Sequence, residues 1–451
     1  MDFTSVYFLG AGGIGMSALV RYFLQHGKHV AGYDLTETDL TRELVAEGAD
    51  LHYRDDVSMI PDCCRDNGKT LVVVTPAIPQ EHGELGFFKS NGFRMMKRSE
   101  VLGLIVNIHQ PLCVAGTHGK TTTSTLLSHI LTSTGVGCNA FLGGISLNYD
   151  SNLLVDKDSQ LYVVEADEFD RSFLRLRPRM TVVTAMDADH LDIYNDYETY
   201  VQGFRDYVSL ITDGGVLIKK AGLPLTAPQG VTTYTYAVDE GDFHAANIRA
   251  EGGELYFDFI GPDVIIRDIR LGVPLYVNIE NSVAAIAMAL LNGAAPEAVR
   301  EAVGTFRGVR RRFDFWVKDG RHVLISDYAH HPVEIRRSIE SVRFLFPDRK
   351  LTGVFQPHLY TRTRDFYKEF ASSLSLLDEV VLLDIYPARE RPIEGVTSQL
   401  ILDEIAAGVD KKMCRKDEVL RLLKNEDLDV VMLIGAGNID TLAPELSKMM
   451  S

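Results

Sequence analysis

Residues 113–125 read CVAGTHGKTTTST. The apolar run PLCVAG (111–116) leads into a turn flanked by Gly116 and Gly119. A segment with Leu126, Leu127, Ile130 and Leu131 on one helical face follows, so a helix is expected from Lys120 to about Thr134. Strand, loop, helix is the setting of a phosphate-binding loop, whose full pattern is G-x-x-x-x-G-K-[ST]. Gly119, Lys120 and Thr121 supply the second half, but five places before Gly119 stands Val114. The loop works because backbone N–H groups point into a concavity at a helix N-terminus, where the helix dipole also favours anions. Gly116 and Gly119 still supply the backbone freedom. Lys120 supplies a mobile positive charge for β- and γ-phosphates, and Thr121 a hydroxyl for Mg²⁺. The competing reading is a tight glycine turn with a solvated lysine.

In a parallel sheet, ligands gather at the carboxyl ends of the strands. The next strands of this block, QLYVVEAD (160–167) and MTVVTAMDADH (180–190), lead into acids and a histidine: Glu165, Asp167 and Glu168, then Asp187, Asp189 and His190. These should converge on the loop. Glu165 is placed as a first Mg²⁺ ligand, since that ion takes oxygen donors and keeps waters and phosphates. His190 reads equally well as a ligand or as a hydrogen-bonded structural histidine.

Outward from this block the chain repeats strand and helix. VYFLGAG (6–12), HVAGYD (29–34) and TLVVVTP (70–76) read as buried parallel strands, with a helix MSALVRYFLQHG between the first two. A boundary is expected near 108. Residues 214–275 carry short alternating runs rich in glycine, read as antiparallel strands, before the helix NSVAAIAMALLNG. After FRGVRRRF, the runs HVLISDYAHHP, KLTGVFQPH, EVVLLDIYP and DVVMLIGAG give a third α/β block. The expectation is α/β throughout, in three domains: 1–107, 108–306 and 307–451.

Gly10-Ala-Gly12-Gly13-Ile-Gly15 fits G-x-G-x-x-G between a strand and a helix, and Asp34 ends the next strand 19 residues past Gly15. Alone, this is the fingerprint of a nicotinamide-dependent oxidoreductase. Its physics says only that a diphosphate sits on the helix start, and a dehydrogenase would leave GTHGKTTT and EADE unexplained.

The totals agree with a globular protein. The 451 residues are 46% hydrophobic and 24% charged, with 46 basic against 62 acidic side chains and a net charge of -16. That balance argues against a general nucleic-acid binder. Five cysteines without a C-x-x-C pair read as reduced thiols of a cytoplasmic protein. No signal peptide or membrane span is read from the chain.

GTHGKTTT (116–123), EADE (165–168) and DADHLD (187–192) together resemble the Mur ligases, the ATP-dependent enzymes that build the peptidoglycan peptide stem. LGAGGIGMSAL, FRGVRRRF, SDYAHHPVEI, FQPHLYTRTRDFYKEF and IGAGNID continue the resemblance in family order, from residue 8 to about 440. It implies a Rossmann-like N-terminal domain binding a UDP-sugar, a central P-loop ATPase-like domain with added antiparallel strands, and a Rossmann-like C-terminal domain closing over nucleotide and amino acid. Other branches of the family often carry a carbamylated lysine in the central domain. Here no lysine lies between Lys157 and Lys219, which fits the branch that adds L-alanine to UDP-N-acetylmuramate. The alternative within the family is the recycling branch that adds a tripeptide to the same sugar. An ATP-driven switch is a third possibility.

Residue by residue, the resemblance implies that Gly116, Thr117, His118, Gly119, Lys120, Thr121 and Thr122 hold ATP, and that Thr121, Glu165 and His190 hold Mg²⁺, or Mn²⁺ in its place. Asn278 and Asn281 match the adenine motif H-N-x-x-N, whose histidine is Val277 here. Arg311 and Arg312 should face phosphate, and Asp327 the ribose. Tyr328, His330, His358 and Arg362 should line the reacting carboxylate and the amino acid, with His330 and Arg362 catalytic beside Lys120, Glu165 and His190. The family often has arginine after FQPH, where Leu359 stands. Gly10, Gly12, Gly13, Gly15, Met16, Ser17 and Asp34, with Thr75 and Ala77, should hold the UDP-sugar. A monomer or weak homodimer is expected.

Overall fold

The computed structural model describes residues 3–187, 194, 196–388, 390–424, 426 and 428–451. The first sheet contains β1 (Ser5–Leu9), β2 (His29–Tyr33), β3 (Asp50–His52), β4 (Thr70–Val74) and β5 (Arg94–Lys97), in the order β3-β2-β1-β4-β5. Every pairing in it is parallel. Its strands are covered on both faces. Val6 and Phe8 join one core with Leu19 and Phe23 of the helix Ile14–Gln25, while Tyr7 and Leu9 join another with Leu85 and Phe88 of the helix Gly83–Ser90. Continuous apolar runs are what such two-sided burial requires.

The second sheet contains β6 (Gln110–Ala115), β7 (Asn139–Ser146), β8 (Ser151–Leu154), β9 (Leu161–Ala166), β10 (Met180–Val183), β11 (Val216–Lys220) and β12 (Thr232–Tyr236). Its order is β12-β11-β10-β6-β9-β7-β8, and only β8 runs antiparallel to its neighbour. The strand read over 180–190 therefore ends at Val183. The reading of 214–275 as antiparallel is corrected in its first half. β11 and β12 extend the parallel sheet, because the helix Tyr197–Val208 carries the chain back across the sheet between β10 and β11, as parallel neighbours require. In the second half β13 (His244–Glu251), β14 (Glu254–Gly261) and β15 (Val264–Leu271) form a separate three-stranded sheet whose two-residue connections make it antiparallel.

The last sheet contains β16 (Asp314–Lys318), β17 (Val323–Asp327), β18 (Leu351–Phe355), β19 (Glu379–Leu382), β20 (Asp410–Met413) and β21 (Val430–Ile434), in the order β16-β17-β21-β18-β19-β20. It is parallel except for the edge strand β16.

The chain divides into two compact units. One comprises Met1–Ala245, Phe259–Ile266 and Asn281–Val303; the other comprises Ala246–Asp258, Arg267–Glu280 and Gly304–Ser451. The first two sheets thus share a unit, and buried polar contacts tie them. Arg21 donates to Asn152 Oδ1 at 2.6 Å, and Asn152 Nδ2 donates to Ile14 O at 2.7 Å. All five cysteines are free. Among the described residues no helix is long and apolar enough to cross a membrane.

Candidate active site

The loop 116–119 joins β6 to the helix Lys120–Ser133. Val114, at the position of the usual first glycine, lies inside β6, so the turn is tightened onto Gly116 and Gly119. Both have positive φ, +130° and +80°. A Cβ on Gly116 would lie 2.2 Å from Thr184 Oγ1, and one on Gly119 would lie 2.6 Å from Asn281 Oδ1. Thr184 also donates to His118 O. Thr117 Oγ1 donates to Asp187 O at 3.0 Å and lies 2.8 Å from the Tyr200 hydroxyl. The loop is therefore braced from the carboxyl end of β10 and from two helices.

Lys120 and Thr121 open the helix. Lys120 Nζ donates to Gly116 O at 2.6 Å and to both Glu168 oxygens at 3.0 and 2.8 Å. Burial works against its ammonium, but the carboxylates of Glu168, Asp167 and Glu165 outweigh it, so Lys120 is held charged above the ordinary lysine range. Thr121 Oγ1 donates to Glu165 Oε1 at 2.7 Å. Glu165 and Glu168 thus receive the two loop side chains, as expected for acids at the end of β9. The sequence placed Glu168 among the acids converging on the loop without naming it as the partner of Lys120. Thr122 stands half-buried on the first turn.

Hard oxygen donors of this kind suit Mg²⁺, which keeps waters and substrate phosphates in its shell and needs few protein ligands. Among the described residues no group of three or more His, Cys, Asp or Glu side chains forms a metal site. His190 lies outside the described residues. His118 Nε2 lies 3.6 Å from Asp187 Oδ2.

At the amino end, the carboxyl ends of β1 and β4 meet at the point where the strand order reverses, the usual ligand crevice of an open α/β sheet. Gly10 has φ +92°, and a Cβ there would lie 2.3 Å from Thr75 Cγ2. Gly12 N donates to Asp34 Oδ2 at 2.7 Å. The loops 10–15 and 75–78 are thereby adjacent, with Ala77 exposed. Gly13 precedes the helix Ile14–Gln25, whose first turn leaves N–H groups available to an anion. Met16 and Ser17 are buried. The Ser17 hydroxyl donates to Ile14 O and accepts from Asn152 Nδ2, both at 2.9 Å.

Within the same compact unit, a cleft of about 340 Å³ is lined by Gly15 and Arg98 from the first sheet's side and by Lys120, Gly143, Glu165 and Asp167 from the second's. Asn281 is buried behind the phosphate loop and accepts from Thr123 Oγ1 at 3.4 Å.

In the second unit, Asn278 is buried in the first turn of the helix Val277–Leu291 and donates to Val273 O at 3.3 Å. The carboxyl ends of β17 and β18 bring Asp327, Tyr328, His330 and His358 together. Asp327 is buried and accepts from Ser338 Oγ at 2.5 Å; burial pushes its carboxyl up. The guanidinium groups of Arg311 and Arg312 lie 4.8 and 5.0 Å from the Tyr328 ring centre. Arg311 is also tied to Gly437 O at 2.7 Å and to Asp440 at 3.3 Å, so its guanidinium is shared with the loop after β21. His330 Nδ1 lies 3.0 Å from Tyr328 O, and its ring centre 6.2 Å from that of His358. Burial pushes His330 down, against Glu334, and Arg362 adds to the lowering. Leu359 holds φ +71° immediately before the helix Tyr360–Leu374 that carries Arg362.

Three family matches span this architecture: Mur ligase family, catalytic domain, over residues 5–110; Mur ligase middle domain over 114–289; and Mur ligase, glutamate ligase domain, over 311–437. The chain belongs to the Mur ligase family. Among curated relatives, it is 56% identical to the UDP-N-acetylmuramate–L-alanine ligase of Phocaeicola vulgatus, covering 99% of this chain and 98% of that one. It is 51% identical to the enzyme of the same name from Porphyromonas gingivalis, over 97% of each. The crystal structure of UDP-N-acetylmuramate-alanine ligase from Thermotoga maritima superposes with a TM-score of 0.84 at 26% identity, over 98% of both chains. A murein peptide ligase from Psychrobacter arcticus shares the fold, with a TM-score of 0.68 at 20% identity over 99% and 98% of the chains.

Proposed function

We infer that this chain joins L-alanine to the carboxylate of UDP-N-acetylmuramate at the expense of ATP, releasing ADP and phosphate, in the synthesis of peptidoglycan precursors. The observation that carries this reading is the cleft that meets Gly15 of the diphosphate loop together with Lys120 and Glu165 of the phosphate site. A UDP-sugar whose diphosphate sat on the first loop would have this space, also lined by Lys120 and Glu165, open to its sugar, which supports the reading. The relatives at 51–56% identity carry the alanine name, which favours L-alanine over the tripeptide.

In the reaction a carboxylate oxygen attacks the γ-phosphorus of ATP, the bond to the β-phosphate oxygen breaks, and ADP leaves. The alanine amine then attacks the acyl phosphate, and phosphate departs from the tetrahedral intermediate. The first step brings negative charge onto negative charge, so positioned cations are the main requirement. Lys120 serves the γ-phosphate, and the N–H groups of the loop Gly116–Thr122 cradle the chain of phosphates. Thr121 and Glu165, with His190 as the family resemblance implies, would hold Mg²⁺, or Mn²⁺ in its place. That ion would neutralise the β- and γ-oxygens. We assign Asn278 and Asn281 to the adenine, and Asp327 and Arg312 to ribose and phosphate. Tyr328, His330, His358 and Arg362 serve the amino acid and the reacting carboxylate. Gly10, Gly12, Gly13, Gly15, Met16, Ser17, Asp34, Thr75 and Ala77 serve the UDP-sugar. The corresponding functional segments are 1–107, 108–306 and 307–451, in a cytoplasmic enzyme.

The test is phosphate release from ATP with Mg²⁺, UDP-N-acetylmuramate and L-alanine, omitting each in turn. Release that needs every component, with a product heavier by one alanyl residue, is expected. Release indifferent to the sugar would instead define an ATPase, and preference for a tripeptide would define the recycling activity.

A further inference from the structure

The cleft between the two loops holds a cation to which the motifs assign nothing. Arg98 is the first residue of the helix Arg98–Val106, and its side chain is 26% exposed. Its guanidinium is pressed against the start of the helix Ile14–Gln25. A Cβ on Gly15 would lie 3.0 Å from Arg98 Nη1 and 3.3 Å from Cζ. The last glycine of G-x-G-x-x-G thus makes room here for an arginine. Among the described residues, Arg98 has one ionic partner, Asp167, at the long distance of 3.8 Å.

Charge in the cleft explains why this matters. Glu165 and Asp167 line it, and so do Lys120 and Arg98. Lys120 is bonded to both oxygens of Glu168. A substrate carboxylate entering toward the γ-phosphate therefore meets two acids, and like charges in a partly desolvated cleft repel strongly. Arg98 is the cation of the cleft without a short ion pair, and a guanidinium offers a fork matched to a carboxylate.

We propose that Arg98 binds the lactyl carboxylate of the UDP-sugar and directs it toward the phosphate loop, so that it distinguishes the muramate from sugars lacking that acid. The proposal rests on the UDP-N-acetylmuramate reading above. It is tested by calorimetry of UDP-N-acetylmuramate and UDP-N-acetylglucosamine, which lacks the lactyl group, on the intact protein and on Arg98→Gln and Arg98→Lys. The intact protein should prefer the muramate by about tenfold or more. Arg98→Gln should bind the two sugars alike, and Arg98→Lys should recover part of the preference. In turnover, Arg98→Gln should raise KM for UDP-N-acetylmuramate while KM for ATP and for L-alanine hold. A preference that survives Arg98→Gln overturns the proposal. A parallel loss for both sugars also overturns it and assigns Arg98 to the diphosphate. Failure of the intact protein to bind either sugar would remove the substrate reading itself.

Discussion

Buried charge is treated differently at two places in the first unit. At Lys120 the acids around the ammonium overcome burial, and the ion pair with Glu168 persists. At Glu84 burial wins. Tyr7 donates to Glu84 Oε2 at 2.7 Å, and His52 Nε2 lies 3.3 Å from the other oxygen, yet desolvation pushes the carboxyl up to about 7. The folded pKa lies above the unfolded one. The stability linked to this group is therefore present at pH below about 4.5 and is lost as pH rises through about 7. Glu84→Gln, which stays neutral, should change stability little at pH 5 and raise it at pH 8 by about 1–3 kcal/mol. Urea melts at both pH values check this, and equal effects at the two would contradict it. Lys120, Thr121 and Glu165 were legible in the sequence because each stands at a fixed offset in a loop or strand end. Glu168 as the lysine's partner was not, because that pairing depends on the turn after β9.

Elements set the precision of the site. β7 passes beside β9 with Gly143 facing the proposed metal ligand Glu165, and a Cβ there would lie 1.6 Å from Glu165 Oε2. Gly143→Ala should therefore push the Glu165 carboxylate off Thr121 while leaving the sheet intact. Turnover is expected to fall about a hundredfold, the usual result of an ångström of misplacement, with an unchanged circular dichroism spectrum. Full activity would show that Glu165 can work from another position. The strands themselves were legible from apolar runs of five or six residues. The direction of β11 and β12 was not, since an alternating run reads the same in a parallel or an antiparallel neighbour.

At the scale of the molecule, the loops proposed to hold the UDP-sugar and ATP belong to different sheets of one unit, each at strand carboxyl ends. Lys120→Ala should accordingly lower turnover by about a thousandfold or more, while calorimetry finds UDP-sugar affinity largely kept. Loss of that affinity would contradict the assignment of the sugar to the first sheet's loop.

The sequence by itself determined the strand–loop–helix at Lys120, the glycine-rich turn at the amino end and the α/β class. These depend on local backbone needs, positive φ at glycine and free N–H groups at a helix start, which a short motif states in full. Only the tertiary structure decided that Glu168 receives Lys120, that Gly143 leaves space for Glu165, and that Arg98 stands against Gly15 in the cleft between the two loops. Those contacts join residues 22 to 83 positions apart in the chain, with no periodicity to announce them. Packing brings them together, and packing is a property of the folded chain.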